Sequence, residues 1–546
     1  MSALTRLALA AAKLPRKTAV RSAEALRISM PDGVVLAGVR YAPVGAAGDE
    51  APILLTRHPY GLQGMFGVLA QALAEASGYQ VVAVSCRGTF GSGGEWVPFR
   101  NEQADGNAVL RWLEGQPWFS GAVATWGGSY FGLTQWAVAD GAPPWLKSMS
   151  LGVTSSWFRD IIYPHESFAL ESMLAWVHGL EHQEEPTLRK LLSMARANKD
   201  LARLTGDVQL KDADAVVVGR TVDFYQDWVA HSAPDDPWWE PVRFGKNLQG
   251  MPPTSLVAGW YDLFLQPQLE DFKRLQAVGT PATLLVGPWT HGSLPSLAAL
   301  LRDTIDWADH HIRGMPSKRT SPVRVCVLGT KRWLDLQSWP PPSAPTSYYL
   351  QAGGQLAEGL PAQSAPDRYR YDPHDPTPSV GGASLARTAG AKDNRAVEAR
   401  ADVLIFTTDP LKAELTVIGE VSARLFARST LEHTDFFVRL CDVSPKGRST
   451  NLCEGILRLQ PGVADAAADG VREVLVSLAP TAVTFRPGHR IRVQVASGAH
   501  PLYARNPGDG SLPGSLAQLR PADVEVLHDP DHPSAVVLPV FDAFRS

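Results

Sequence analysis

The sequence predicts an α/β core with a mostly parallel sheet, a helical insertion within that core, and a carboxy-terminal antiparallel β domain. In two stretches of the chain, short apolar runs alternate with helical segments, which is typical of a parallel sheet covered by helices on both faces. Between these stretches, residues 151–244 show no strand pattern and indicate a helical insertion. After a proline-rich segment at residues 339–345, apolar residues recur at every second position, as in half-buried antiparallel strands.

The composition places the chain among globular proteins and excludes several other classes. Of its 546 residues, 45% are hydrophobic and 19% are charged, which excludes intrinsic disorder as the main state. Glycine and proline are frequent but follow no period, so a collagen-like chain is also excluded. The net charge of −4 provides no attraction to nucleic acid or to an anionic membrane, and we expect neither as a partner.

The cysteines and the amino terminus favour a reduced, cytoplasmic location. Four cysteines in so long a chain form no disulfide framework, although Cys441 and Cys453 could pair across a hairpin. The apolar stretch at residues 7–12 ends at Lys13, so it is too short for a signal peptide, whose apolar region spans about 7–15 residues. We expect a short helix or a frayed terminus there.

Two long runs lack charged residues but do not resemble membrane-spanning helices. Residues 115–139 and 278–301 are both long enough to cross a bilayer, yet prolines and glycines interrupt them. We therefore interpret both runs as buried strands with turns, and we expect no membrane association.

The core elements follow each other as strands and helices bounded by glycine, proline or polar residues. The predicted strands are residues 53–55, 81–84, 123–126, 255–258 and 283–286. The predicted helices are residues 103–114, residues 268–276 and a segment that begins at Leu133. In the β domain, Val421, Ala423, Leu425 and Ala427 alternate with Ser422, Arg424, Phe426 and Arg428.

These patterns divide the chain into four segments. The first part of the α/β core spans residues 1–150, the helical cap 151–244, the second part of the core 245–340, and the β-sandwich jelly roll 341–546. Within the cap we expect a helix at residues 157–180, broken at Pro164, and a charged helix at residues 186–204. Three cap tryptophans either shape a pocket or pack in a core, namely Trp228, Trp238 and Trp239.

A glycine-flanked serine carries the main chemical signal. The predicted strand 123–126 runs into Gly127-Gly128-Ser129-Tyr130-Phe131-Gly132, and a helix follows. Acyl transfer requires an exposed hydroxyl on a tight strand-to-helix turn, where the next backbone N–H faces the substrate oxyanion. The usual motif is Gly-x-Ser-x-Gly, whereas here the second glycine lies one position later. On this motif alone, an ordinary Gly-Ser turn without a catalytic role therefore remains an alternative.

Chain order strengthens the case for a nucleophile. In folds with such a turn, the acid and the base follow the serine, each after a later strand. Asp262 follows the apolar run 256–261, and His291 follows the run 284–290. A single Asp or His after a strand is usually a cap or a satisfied polar group, but Ser129, Asp262 and His291 occur in the required order.

With these motifs in place, the chain resembles the α/β hydrolases of the cocaine-esterase and X-prolyl dipeptidyl-peptidase group. The resemblance covers nearly the whole chain past about residue 27. One departure is Cys86, where relatives often carry a polar residue. The segments that resemble the family are Arg57–Tyr60, Cys86–Gly94, Gln116–Trp118, Gly127–Gly132, Gly259–Asp262, Gly287–His291, Tyr369–Pro373, Thr434–Phe437 and Pro487–Ile491.

The resemblance implies an α/β-hydrolase core, a helical cap and a carboxy-terminal jelly roll. It also places Gly132 in the family's own form of the serine turn. The backbone N–H of Tyr130 is the first expected donor to the oxyanion, and the resemblance adds the Tyr60 hydroxyl as the second.

We therefore expect a serine hydrolase that cleaves a small carboxylic ester on a Ser129–His291–Asp262 triad, with no cofactor and no metal. The first alternative is an amidase, an acylase or an X-Pro dipeptidyl-peptidase. Such a peptidase would pair the substrate ammonium with cap carboxylates, for which the candidates are Glu166, Glu171, Glu184 and Glu185. The second alternative is a non-catalytic ligand- or carbohydrate-binding protein. A homo-oligomer is possible, and the acyl and leaving-group preferences stay open.

Overall fold

Two large β-sheets organise the protein. The computed structural model describes residues 2–45, 48–185, 209–386, 388–511 and 518–542. Within them lie a sheet of ten strands and a sheet of eleven strands, which follow each other along the chain. The cap helix predicted at residues 186–204 lies outside the described residues.

The first sheet is parallel across its centre, as the alternation of strands and helices predicts. Its strands are β1 (Glu24–Ser29), β2 (Val35–Tyr41), β3 (Ile53–His58), β4 (Gln80–Ser85), β5 (Val123–Gly128), β6 (Leu146–Gly152), β7 (Thr254–Tyr261), β8 (Ala282–Thr290), β9 (Val323–Val327) and β10 (Arg332–Leu336). They lie in the order β1-β2-β4-β3-β5-β6-β7-β8-β9-β10. The strands from β4 to β9 in this order are mutually parallel, while β1, β2 and β10 pair antiparallel at the two edges.

Several helices cover the two faces of this sheet, because each of them presents an apolar stripe to it. Together with those of the cap and of the β domain, the helices of the described chain are α1 (Ala3–Ala12), α2 (Gly64–Ser77), α3 (Glu102–Glu114), α4 (Tyr130–Trp136), α5 (Arg159–Ile162), α6 (Leu170–Glu181), α7 (Ala213–Val218), α8 (Asp223–Ala230), α9 (Leu265–Ala277), α10 (Leu294–Arg313) and α11 (Arg395–Glu398). Helices α1, α2 and α10 pack on one face, over a core that includes Ala83 and Trp126. Helix α3 packs on the other face.

The second sheet forms the predicted β domain. Its strands are β11 (Ala344–Gln351), β12 (Gln355–Ala357), β13 (Asp367–Tyr371), β14 (Leu404–Thr407), β15 (Leu415–Ser429), β16 (Thr434–Val443), β17 (Ser449–Leu459), β18 (Arg472–Phe485), β19 (Arg490–Ala496), β20 (Ala522–Leu527) and β21 (Ala535–Val540). Apart from a single parallel contact of β12 with β14, the pairings are antiparallel. The alternation along β15 is confirmed, since Val421, Ala423, Leu425 and Ala427 are buried and their neighbours are half-buried.

Three expectations from the sequence are corrected. The uncharged run 278–301 is not only strand and turn, because β8 is followed by the first part of the helix α10. Likewise, the run 115–139 contains both β5 and α4. Helix α4 begins at Tyr130 rather than at Leu133, so it starts directly after Ser129.

The other predictions have mixed outcomes. The cap helix breaks near Pro164 as expected, since α5 ends at Ile162 and α6 begins at Leu170. All four cysteines are buried and free, so the Cys441–Cys453 pair that the sequence allowed does not form a disulfide, and the expectation of no disulfide framework is confirmed. The first sheet ends at Leu336 and the second begins at Ala344, while the domain boundaries at residues 150, 244 and 340 stay predictions.

The described residues include neither a helix that could span a membrane nor a cluster of metal-binding side chains. No described helix is both long and apolar enough to cross a bilayer. No group of three or more His, Cys, Asp or Glu side chains in the described ranges is arranged to hold a metal ion.

A buried carboxylate joins the core to the start of the cap. Asp271 on α9 accepts hydrogen bonds from the backbone N–H of Ser156 at 2.7 Å and from its hydroxyl at 2.6 Å. Arg274 lies 3.3 Å away. Burial nevertheless raises the pKa of Asp271 to about 6, because the low-polarity surroundings penalise the charged form more than these contacts favour it.

This raised pKa predicts a pH-dependent contribution to stability. The contribution is fully present below the unfolded pKa of about 4 and is lost as the pH rises through about 6. Relative to Asp271→Asn, the wild type should lose up to about 1.4 kcal/mol per pH unit in that window. Urea unfolding at pH values across the window measures the difference. The exposed Asp235→Asn is the matched control, and an identical pH slope for wild type and Asp271→Asn would contradict the assignment.

Candidate active site

A strained turn positions Ser129 at the end of β5. Ser129 has φ of 57° and ψ of −128°, a conformation that costs free energy in a residue with a side chain. Its N–H donates to Gly152 O at 2.8 Å and to Val153 O at 3.2 Å, which ties the turn to the end of β6. The turn therefore holds the serine between the strand and α4.

Two glycines let this turn close. Gly127 has φ of 135°, and a Cβ there would overlap Phe131. A Cβ at Gly132 would overlap the side chain of Thr154, because the first turn of α4 packs tightly against that residue. The close approach to Thr154 explains why glycine is required at position 132.

The structure brings the three predicted residues Ser129, Asp262 and His291 together at the carboxyl edge of the parallel sheet. His291 Nε2 lies 3.1 Å from Ser129 Oγ, and His291 Nδ1 lies 2.9 Å from Asp262 Oδ2. Asp262 is only 2% exposed, and its second oxygen accepts the N–H of Phe264 at 2.9 Å. The rings of Phe264 and His291 stack with centroids 5.5 Å apart. The imidazole is thus held on two sides.

The Tyr60 hydroxyl is fixed by the cap. Trp176 on α6 donates its indole N–H to the Tyr60 oxygen at 3.0 Å, so the phenol proton stays free to be donated elsewhere. Burial raises the pKa of Tyr60 well above its usual range, which keeps the phenol protonated at neutral pH. Sequence reasoning missed Trp176, because no motif links it to Tyr60 across 116 residues of chain.

Tyr130 is anchored through its side chain. Its hydroxyl donates to Glu102 Oε1 at 2.8 Å and accepts the Phe99 N–H at 3.0 Å. Glu102 in turn forms a buried ion pair with Arg57. As the first residue of α4, Tyr130 has a backbone N–H without a partner inside the helix. Sequence reasoning also missed Glu102, which gives no sign of its role beyond its place at the start of α3.

Two cavities meet at Ser129. The larger has a volume of about 340 Å³ and extends beside His291 towards α2 and α10. The smaller, of about 20 Å³, lies on the side of Tyr130 and Phe264. Tyr60, Trp176 and Leu385 line both cavities. Neither cavity has an acidic residue among its described lining residues.

The cap carboxylates that could bind an ammonium group are engaged elsewhere. Glu166 pairs with Arg159 at 2.6 Å, and Glu171 accepts from Ser384 at 2.7 Å. Glu184 accepts the backbone N–H of Phe90 at 3.1 Å, and Glu185 lies 3.2 Å from His182.

The three cap tryptophans do not line either cavity. Trp228 is buried and stacks on Trp176 with ring centroids 5.6 Å apart. Trp239 is also buried, and Trp238 stacks on His231. Trp228 therefore supports the wall that Trp176 forms, whereas Trp238 and Trp239 pack against each other.

The chain matches known proteins over most of its length. Residues 32–293 match the model of the X-Pro dipeptidyl-peptidase (S15) family, and residues 316–537 match the X-Pro dipeptidyl-peptidase C-terminal non-catalytic domain. The chain is 32% identical to the cocaine esterase of Rhodococcus sp. (strain MB1 Bresler), over 94% of this chain and 97% of that protein.

Solved structures share the fold along the same length. An α-amino acid ester hydrolase superposes with a TM-score of 0.80 at 23% identity, covering 95% of this chain and 96% of the other. An aminopeptidase of a marine-sediment Thaumarchaeota archaeon superposes with a TM-score of 0.79 at 24% identity, with the same coverage. The chain belongs to the X-Pro dipeptidyl-peptidase (S15) family of α/β hydrolases and is a relative of cocaine esterase.

Proposed function

We propose that the protein is a serine hydrolase that cleaves carboxylic esters through an acyl-enzyme on Ser129. The observation that carries this proposal is the continuous chain of hydrogen bonds from Ser129 Oγ through His291 to the buried Asp262. A hydroxyl on a strained turn, next to a base that is itself oriented by a carboxylate, is the arrangement that activates a serine nucleophile. Relationship to a cocaine esterase supports the same class of reaction.

In the first half of the reaction, Ser129 Oγ attacks the ester carbonyl carbon. His291 Nε2 accepts the serine proton, while Asp262 accepts the N–H at Nδ1 and stabilises the imidazolium that forms. Negative charge develops on the carbonyl oxygen, where the Tyr60 hydroxyl and the Tyr130 N–H are the two proposed donors.

In the second half, the leaving group departs and water completes the cycle. The imidazolium of His291 donates its proton to the leaving alcohol oxygen, which leaves the acyl group on Ser129. A water molecule then attacks the acyl carbon as His291 accepts a proton from it. The imidazolium returns this proton to Ser129 Oγ as the acyl–oxygen bond breaks, which releases the acid product and regenerates the serine hydroxyl. No step requires a cofactor.

The surroundings of Ser129 favour esters over X-Pro peptides. A dipeptidyl-peptidase must pair the substrate ammonium with an acidic group, since an unpaired buried charge is costly. The described walls of both cavities lack acidic residues, and the four candidate cap carboxylates are bonded to other groups.

We also propose a cytoplasmic location. The free, buried cysteines support it, because oxidising compartments favour disulfides.

A fluorophosphonate probe should label Ser129 and abolish ester hydrolysis, because only an activated serine reacts quickly with it. Peptide mapping by mass spectrometry identifies the labelled residue. Ser129→Ala should show neither labelling nor turnover, whereas Ser343→Ala, at an exposed position, should behave as the wild type. Labelling of another serine, or normal turnover in Ser129→Ala, would refute the assignment of the nucleophile.

Tyr60→Phe should lower kcat by about 100- to 1000-fold, because it removes one donor to the oxyanion and keeps the ring. Steady-state kinetics with one activated ester measures the effect, and thermal unfolding checks that the fold is retained. Tyr349→Phe is the matched control, since Tyr349 lies on β11 in the second sheet. A near wild-type kcat in Tyr60→Phe would show that the second donor to the oxyanion is another group.

Esters should be hydrolysed far better than X-Pro substrates. A panel of p-nitrophenyl esters, amino-acid esters and X-Pro p-nitroanilides, assayed on one preparation, compares kcat/KM across the classes. We expect kcat/KM for a neutral ester to exceed that for an X-Pro anilide by several orders of magnitude. A preference for the X-Pro anilide would instead establish the dipeptidyl-peptidase alternative.

A further inference from the structure

We infer that the larger cavity beside His291 binds the alcohol part of the ester, and that it selects alcohols with a hydrocarbon chain. This inference rests on the proposed function and specifies its substrate class. It follows from where the cavity lies, from what lines it, and from which catalytic group faces it.

The cavity extends from Ser129 down into the apolar layer between the sheet and two helices. Its sheet side is formed by Thr56 on β3, Ala83 on β4 and Trp126 on β5, which are adjacent strands. Ala70 on α2 and Leu297 on α10 are among its helix walls. With a volume of about 340 Å³, it has room for roughly ten groups the size of a water molecule.

None of the described residues that line the cavity carries a charge, apart from the positive charge that His291 gains during catalysis. His58, which lines it, is buried and accepts the Tyr60 N–H at its Nδ1 at a distance of 3.3 Å. Burial lowers the pKa of His58 to about 3, so the ring is neutral at working pH. A charged ligand group would lose its hydration here without a partner, whereas an alkyl chain gains free energy by leaving water.

The position of His291 assigns this cavity to the leaving group. The alcohol oxygen must receive its proton from His291 Nε2, so the alcohol must lie on the side of that imidazole. His291 and Gly292 line the larger cavity and are absent from the described lining of the smaller one. The smaller cavity, of about 20 Å³, lies on the opposite side and holds no more than about one group the size of a water molecule, so on that side it favours the shortest acyl groups.

Two series of substrates test the inference. The first varies the alcohol, from ethyl acetate to hexyl acetate, and the second varies the acid, from ethyl acetate to ethyl hexanoate. We expect kcat/KM to rise along the first series by about fourfold per methylene, which corresponds to the transfer free energy of about 0.8 kcal/mol per CH₂. Along the second series we expect no such rise.

Filling the cavity should remove the chain-length dependence. Ala70→Phe places a ring in the space, so the ratio of kcat/KM for hexyl acetate to that for ethyl acetate should fall to near one. Val68→Phe is the matched control, because Val68 is half-buried on the same helix but is absent from the lining residues, and it should keep the wild-type ratio. Leu297→Trp fills the cavity from the opposite wall and should lower the same ratio. It replaces Ala70→Phe in the test if that variant does not fold.

The outcomes separate this inference from the proposed function. A rise along the acid series in place of the alcohol series would overturn the inference, as would a ratio that survives both filling variants in folded protein. Hydrolysis of short esters without any chain-length dependence would overturn it as well. Turnover of p-nitrophenyl esters without hydrolysis of either alkyl series would overturn the inference alone, whereas hydrolysis of no ester of any kind would overturn the proposed function itself.

Discussion

The turn at Ser129 is the constraint on which the rest of the site depends. A serine with positive φ is unfavourable in isolation. Here it is held by two hydrogen bonds, to the last residue of β6 and to the residue after it, and by two glycines. Because β5 lies within the parallel part of the sheet, its carboxyl end shares one edge with those of β7 and β8. The chain that follows β7 and β8 supplies Asp262 and His291, so a parallel sheet suffices to assemble the three groups.

The surroundings of the turn come from all three parts of the protein. The core supplies Tyr60, and the cap supplies the indole of Trp176 that orients its hydroxyl. The segment between β13 and β14 contributes Leu385 to both cavities and binds the cap through Ser384 and Glu171. Because all three parts contribute residues around Ser129, disturbing the contact between the cap and the β domain should affect turnover as well as stability.

Much of the fold was predictable, because the spacing of apolar residues along the chain indicates directly which residues are buried. The apolar strands and the alternation along β15 each correspond to an element of the structure. The positions of Ser129, Asp262 and His291 followed from their order after strands, and Tyr60 from the family resemblance. Trp176 could not be predicted, because its contact depends on how a broken cap helix packs over the core. The large cavity was equally hidden, since sequence indicates which residues are apolar but not where packing leaves space.

Isolation of the acyl-enzyme tests the central claim most directly. A phenyl ester has a good leaving group, so the acyl-enzyme should form faster than water removes it, and acid quenching during turnover should preserve it. We predict one acyl group per chain, carried by the peptide that contains Ser129. An acyl group on another residue, or steady turnover with no acyl group on the protein, would contradict the account.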